Sequence, residues 1–308
     1  MIQSNNAKTI DSALTVLSEH GKSFRFAGRF LDKELIEKCA RLYRFCRYLD
    51  DSIDEALDSE SAIYNLQELK YSLDNGSSFN HIIQDFINLK KQTDMQRNVV
   101  DELIYGIASD LNKVLFKNEK ELIQYCYRVA GTVGLLMCDI FGVKDKKARM
   151  HAIDLGIAMQ LTNIARDVKE DAELGRRYLP SEWIGEISPE EISENTFRPK
   201  NLVRISIERL LKIADQYYIS GIHGIRFLPS GARLCILVAA QTYREIGIVI
   251  KEKKYNFYAE RAYVGLLRKI QVAAKSLFFY YKKEPYIEHD SKLHYHLNNF
   301  PDAHKYSV

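Results

Sequence analysis

The sequence predicts an all-α protein, and three observations carry that prediction. Apolar residues recur at steps of three and four: Leu35, Cys39, Leu42, Cys46, Leu49 and Ile53, then Ile63, Leu66, Leu69 and Leu73. All six prolines (Pro180, Pro189, Pro199, Pro229, Pro285, Pro301) lie in the second half, so helices follow one another up to Leu179 without a forced break. Alternating period-two runs, hairpin turn signals, solenoid-length repeats and glycine-rich phosphate loops are not found.

Composition and order along the chain fill in the rest. The 308 residues are 46% hydrophobic and 28% charged, as in a chain with a buried core. They read as a single domain over residues 1–308, with a core of about 15–279 and an irregular tail from 280 to 308. The start, MIQSNNAKTIDSALTVL, lacks the basic residues and unbroken apolar run of a signal peptide. Ala172–Lys200 breaks the helical pattern: it holds three prolines, two glycines and the chain's one tryptophan, Trp183. Within it, Ser188-Pro189-Glu190-Glu191 predicts a short helix with a capping box. Helical spacing resumes after Pro199, with Leu202, Ile205, Ile207, Leu210 and Leu211, and runs through Leu277. Leu234–Ile250 comes nearest to a membrane span, but Gln241, Arg244 and Glu245 interrupt it. A soluble, cytoplasmic protein is expected. The net charge of +3 gives no reason to expect nucleic acid as a partner. The five cysteines show no metal or CxxC spacing and read as reduced thiols, and the eight histidines form no zinc pattern.

Two segments carry chemistry. In RFCRYLDDSIDE, Asp50 and Asp54 are four apart and share one helix face. They follow Cys39, Tyr43 and Cys46, so the spacing predicts acids continuing a core-facing line, with Arg47 beside Asp50. In LGIAMQLTNIARDVKEDAELGRRYLP, Gln160, Asn163, Asp167 and Asp171 fall in one stripe of an otherwise apolar helix. Paired carboxylates facing one cavity suit magnesium, a hard ion that takes oxygen ligands and shares its shell with phosphate. Arg47, Arg166, Arg176 and Arg177 are candidates to hold diphosphate oxygens. In YCYRVAGTVG, the small residues Ala130, Gly131 and Gly134 lie three or four apart, which serves close helix packing or an apolar ligand equally well. Gly221, Gly224, Leu228-Pro229, Arg233 and Tyr243 mark a helix, a turn and a further helix.

These motifs resemble the squalene and phytoene synthase family of head-to-head prenyl transferases. The resemblance runs from about Lys22 to Ile246. LYRFCRYLDDSIDE is similar to the family's first aspartate-rich helix, YCYRVAGTVG to its tyrosine-glycine helix, and QLTNIARDVKEDAELGRRYLP to its second aspartate-rich helix and the flap after it. Ser23-Phe24 resembles an early Ser-Phe pair, with His20 and Lys22 beside it. The full VAGTVG and LGRRYLP forms are most similar to the bacterial phytoene synthase branch.

The resemblance implies an isoprenoid synthase-type helical bundle around a central cavity. It implies that Asp50, Asp54, Asp167 and Asp171, with Asn163, bind magnesium, or manganese in its place. It gives His20, Lys22, Ser23, Tyr43, Arg47, Gln160 and Arg166 contacts to the substrate, and places Tyr125 and Tyr243 near the reacting carbons. Arg261, in ERAYVGLLRK, matches a later diphosphate-binding arginine more loosely. The implied reaction condenses two geranylgeranyl diphosphates through a cyclopropyl diphosphate to phytoene, for carotenoid biosynthesis. NADPH is not expected for it. A squalene or dehydrosqualene synthase using two farnesyl diphosphates is the alternative, differing mainly in pocket depth. The C-terminal membrane helix of eukaryotic squalene synthases is not seen, which favours the bacterial branch. A non-catalytic assembly factor of the same fold is disfavoured, because such proteins lose the four acids retained here. Apolar substrates and product suggest peripheral membrane contact. Oligomeric state is not legible.

Overall fold

The computed structural model describes residues 2–54, 58–194, 197–281 and 285–303. Among these, helices follow one another as predicted: α1 (Ile2–His20), α2 (Lys22–Ala27), α3 (Lys33–Asp54), α4 (Ser59–Asn75), α5 (His81–Thr93), α6 (Arg97–Ala108) and α7 (Glu119–Cys126). There follow α8 (Thr132–Ile140), α9 (Lys146–Glu173), α10 (Ser181–Ile184), α11 (Pro189–Ser193), α12 (Phe197–Gly224), α13 (Ser230–Glu252) and α14 (Leu266–Tyr281). The described residues hold one isolated bridge, Leu115 with Arg177, and no strand. No helix among them is long and apolar enough to cross a membrane.

Helix ends follow local chemistry. Asn80 and Asn118 cap α5 and α7 by accepting backbone N–H bonds, and Gly76 ends α4 in the left-handed region that glycine tolerates. The capping box at Ser188 and Glu191 forms with Pro189 at the first position of α11. One further turn, α10, precedes it inside the connection.

The architecture centres on α9. Ile153, Ile157, Ala158, Leu161, Ile164 and Ala165 are all buried, as a helix apolar on most sides must be. It lies along α12 and also meets α8, α11 and α13. Between α7 and α8 the chain widens into a π-helical turn, Tyr127–Gly131, where the spacing predicts an unbroken α-helix. The glycines here serve helix packing. A Cβ on Gly134 would sit 2.2 Å from the Ala152 carbonyl oxygen, and one on Gly156 2.2 Å from that of Ala130. Only bare backbone lets α8 and α9 approach so closely.

Beyond Tyr281 the described chain has only a single 3₁₀ turn, Ser291–His294, but it is docked rather than loose. His289, His294 and Leu297 are buried. His294 Nε2 lies 2.9 Å from Asp154 Oδ1, and His289 Nε2 lies 2.9 Å from Asp154 Oδ2. Ser220 Oγ donates to the same carboxylate at 2.5 Å. Asp154 is fully buried on α9, so this segment is fastened to the helix that carries the second acid pair.

Candidate functional site

α9 brings the second acid pair inward. Gln160, Asn163, Arg166, Asp167 and Asp171 are all partly buried. The stripe is not straight, because Asp167 has non-helical backbone angles (φ −105°, ψ 15°) and kinks the helix. Its carboxylate is gripped by two arginines. Arg166 Nε donates to Oδ1 at 2.8 Å, and Arg261, from the segment before α14, donates to Oδ1 at 2.7 Å and Oδ2 at 2.8 Å. These bonds outweigh burial and hold the Asp167 carboxyl below its usual range. Asp171 goes the other way. Burial and the like charge of Asp167 push its carboxyl up to about 8, with Arg176 opposing. Asn163 turns its amide nitrogen toward Gln160 Oε1 at 3.3 Å and leaves Oδ1 buried with no hydrogen-bond donor. A strained carboxylate and an orphaned carbonyl on one stripe, all oxygen, form a donor set that fits a hard divalent cation.

α3 differs from expectation. Its buried line is Leu42, Phe45, Leu49 and Ile53; Tyr43, Cys46 and Asp50 lie along the edge of that line. Asp50 is therefore exposed, because it stands one residue, about 100°, round from Leu49. Its charge still raises the Tyr43 phenol and the Cys46 thiol, which places it on their side of the helix. Arg47 pairs with Asp51, Nη2 to Oδ1 at 2.5 Å, and also feels the charge of Asp50, beside which the spacing predicts it. The side chain of Asp54 lies outside the described residues.

An aromatic group joins the two halves. The Phe24 ring centroid is 6.1 Å from that of Tyr43 and 5.1 Å from that of Tyr243. Tyr243, on α13, feels the charges of Arg166, Asp167 and Arg261. Tyr43 is pushed up to about 12 by burial and then by Tyr243, so it remains a neutral phenol. Gly21 packs against Tyr43, with a Cβ there only 3.1 Å from the ring. Beside that contact, His20 and Lys22 are exposed and Ser23 is half-buried.

Tyr125 is buried, and its hydroxyl donates to Asp110 Oδ2 at 2.8 Å and lies 3.2 Å from that of Tyr178. Phe116 packs on both rings, 5.3 Å from Tyr125 and 5.5 Å from Tyr178. Asp110 also feels Asp171, so it belongs to the acidic end of the site. Asp110 and Tyr178 were not among the expected residues. Asp110 is a lone acid in a short turn with no spacing partner, and Tyr178 is hidden in the flap motif. Arg177 is a correction: buried, it donates to the Ile187 carbonyl at 2.7 Å and the Gly185 carbonyl at 3.3 Å. Those bonds, with the Glu186 carboxylate 4.0 Å away, tie the guanidinium to the connection itself.

Comparison with known proteins shows the family. Residues 17–268 match the model of a family described as squalene/phytoene synthase. A phytoene synthase from Pseudescherichia vulneris is 32% identical over 85% of this chain and 88% of its own. One from Rhodobacter capsulatus is 34% identical over 82% and 76%. A 15-cis-phytoene synthase from Pantoea ananas is 31% identical over 83% and 87%. Among solved structures, a dehydrosqualene synthase in complex with ligand superposes with a TM-score of 0.80 at 25% identity, covering 90% of this chain and 98% of that one.

Proposed function

Because the chain belongs to the squalene and phytoene synthase family, we propose that it is a phytoene synthase that condenses two geranylgeranyl diphosphates head to head. The observation that carries this reading is the oxygen stripe on α9: Asp171, forced up to about 8 beside Asp167, and Asn163 with its unanswered carbonyl. Similarity to several phytoene synthases over most of the chain supports the C20 substrate.

Asp167, Asp171 and Asn163 on one side, and Asp50 and Asp54 on the other, would hold magnesium or manganese. When bound, the metal neutralises diphosphate and stabilises it as it leaves. Arg166 and Arg261, now clamped on Asp167, would exchange that carboxylate for diphosphate oxygens. His20, Lys22, Ser23, Arg47 and Gln160 would complete the diphosphate end.

Loss of the first diphosphate leaves an allylic cation, and the double bond of the second substrate attacks it. Loss of a proton closes the cyclopropane. Ionisation of the second diphosphate, rearrangement and a second proton loss give the conjugated triene. Phe24, Tyr43 and Tyr243 offer aromatic faces to the cations and exclude water that would quench them. Burial holds Tyr125 well above its ordinary range, so it acts as a neutral phenol steadied by Asp110. The five cysteines are free thiols, consistent with a reducing cytoplasmic compartment. The hydrocarbon product supports a peripheral contact with the membrane.

The test is incubation with magnesium and labelled C15 or C20 diphosphates, followed by lipid extraction. A C40 triene from the C20 substrate is expected. C30 product alone would reassign the chain to the farnesyl-using branch, and no turnover by folded protein would make it a scaffold. Asp50→Asn or Asp167→Asn should abolish turnover with the fold retained. Near-normal activity in either would remove that residue from the metal site.

A further inference from the structure

The face of α14 turned away from the body is apolar throughout. Leu266, Leu267, Ile270, Leu277, Phe278 and Tyr281 are all exposed, Leu267 by 79% and Phe278 by 71%. At 100° per residue they fall within one arc of about 120°, joined by Ala274, while Val272 and Ser276 point inward on the opposite side. A solvated face of this helix should carry charge there, and it carries none.

The flanks are cationic. The sequence of α14 contains Arg268, Lys269 and Lys275 and no acid. Arg268 is taken up by Glu245 and Glu252. Lys269 feels the like charge of Lys22 on α2, and Lys275 is exposed. Among the described residues no carboxylate pairs with Lys22, Lys269 or Lys275. In the sequence, Lys282 and Lys283 follow directly.

We propose that the outer face of α14 seats the protein on an anionic lipid bilayer, with the apolar arc in the acyl boundary and Lys269 and Lys275 against headgroup phosphates. An apolar arc flanked by lysines is the pattern of helices that lie in the plane of a membrane interface. A second copy of the chain fits less well, since a two-fold contact would set this acid-free cationic face against itself. The surface is also continuous with the site. Ala273, on the inner side of α14, packs on the cluster of Ala27, Cys235, Val238 and Ala239, and so does Phe24, which touches Tyr43 and Tyr243. The choice of a lipid occupant draws in part on the proposed reaction, whose product is a hydrocarbon.

The test is co-sedimentation of the full chain with vesicles of phosphatidylcholine alone or mixed with phosphatidylglycerol. The protein should bind the mixed vesicles, release in high salt, and bind pure phosphatidylcholine at least tenfold more weakly. Leu267→Glu with Phe278→Glu should abolish binding, and Lys275→Glu should weaken it roughly thirtyfold, a charge reversal counting as two cationic contacts. All three positions are exposed, so circular dichroism and prenyl turnover in detergent should be unchanged. Undiminished binding by the double variant, equal binding to both vesicle types, or no binding by the wild type would overturn the proposal. So would a wild-type dimer that the double variant dissolves. Vesicle binding as expected with no C20 turnover would remove the proposed reaction and leave this surface standing.

Discussion

At the scale of single residues, two buried groups are held away from their ordinary protonation, and each makes a prediction. Asp171 is raised to about 8 from 3.8 by burial and by Asp167. A carboxyl raised on folding contributes stability that is full below pH 3.8 and lost as pH rises through 8. Metal-free protein should therefore gain thermal stability from Asp171→Asn at pH 8 to 9 while losing turnover. Melting curves in chelator decide it, and an Asn variant that melts lower there would contradict the reading. His151 is lowered to about 4 from 6.5, first by burial. Its Nδ1 lies 2.9 Å from Ser220 Oγ, whose own proton goes to Asp154, so the ring is neutral with hydrogen on Nδ1. Nε2 is buried with no partner, and a proton there would be an unpaired buried charge. The unfolded chain takes up that proton from pH 6.5 downward and the folded one only near 4, so stability is present above 6.5 and falls as pH drops to 4. Across that window this upward slope opposes the downward one from Asp171, so unfolding midpoints of Asp171→Asn should rise with pH between 4 and 6.5, and adding His151→Gln should flatten that rise.

At the scale of elements, the period of the sequence told where helices run but not where they deviate. The buried line of α9 and the capping box at Ser188 were legible because periodicity and caps are local signals. The line on α3 was displaced by one residue. The spacing 39-43-46-50 and the spacing 42-45-49-53 are both helical, and only the packing partners decide which faces inward. The kink at Asp167 and the π-helical turn at Tyr127–Gly131 carry no proline and gave no warning. Arg261 was weakly legible because it reaches Asp167 across 94 positions of sequence. Asp110 was not legible, since its partners Tyr125 and Tyr178 come from two later elements. The small residues of YCYRVAGTVG were ambiguous, and packing resolved them. With Gly134 and Gly156 each within 2.2 Å of a facing carbonyl at the position of a Cβ, alanine there must push α8 and α9 apart. Gly134→Ala should cost about 1–3 kcal/mol in urea unfolding, the range for forced overpacking. Gly231, whose Cβ would meet nothing, is the control and should accept alanine with no comparable loss.

At the scale of the whole molecule, both ends of the chain bear on the site. α2 brings Phe24 against Tyr43 and Tyr243, while the last described segment fastens by imidazoles to Asp154, on the same helix as Asp167 and Asp171. Asp154 is fully buried, and interaction with His294 and His289 holds its carboxyl near 2 against burial. A buried carboxylate that loses its donors is a large penalty, about 3–5 kcal/mol when a charge is left unpaired. Ending the chain after Tyr281 would leave only Ser220 to answer it. It would also uncover Tyr127 and Tyr217, whose hydroxyls donate to the Pro301 and Leu293 carbonyls. The truncated protein should unfold at markedly lower urea. Asp154→Asn in the truncated background should recover part of the loss, because it removes the stranded charge; in the intact chain the same change should destabilise by breaking the imidazole contacts. That reversal of sign separates an electrostatic fastening from simple loss of packing, which would leave Asp154→Asn with the same effect in both backgrounds.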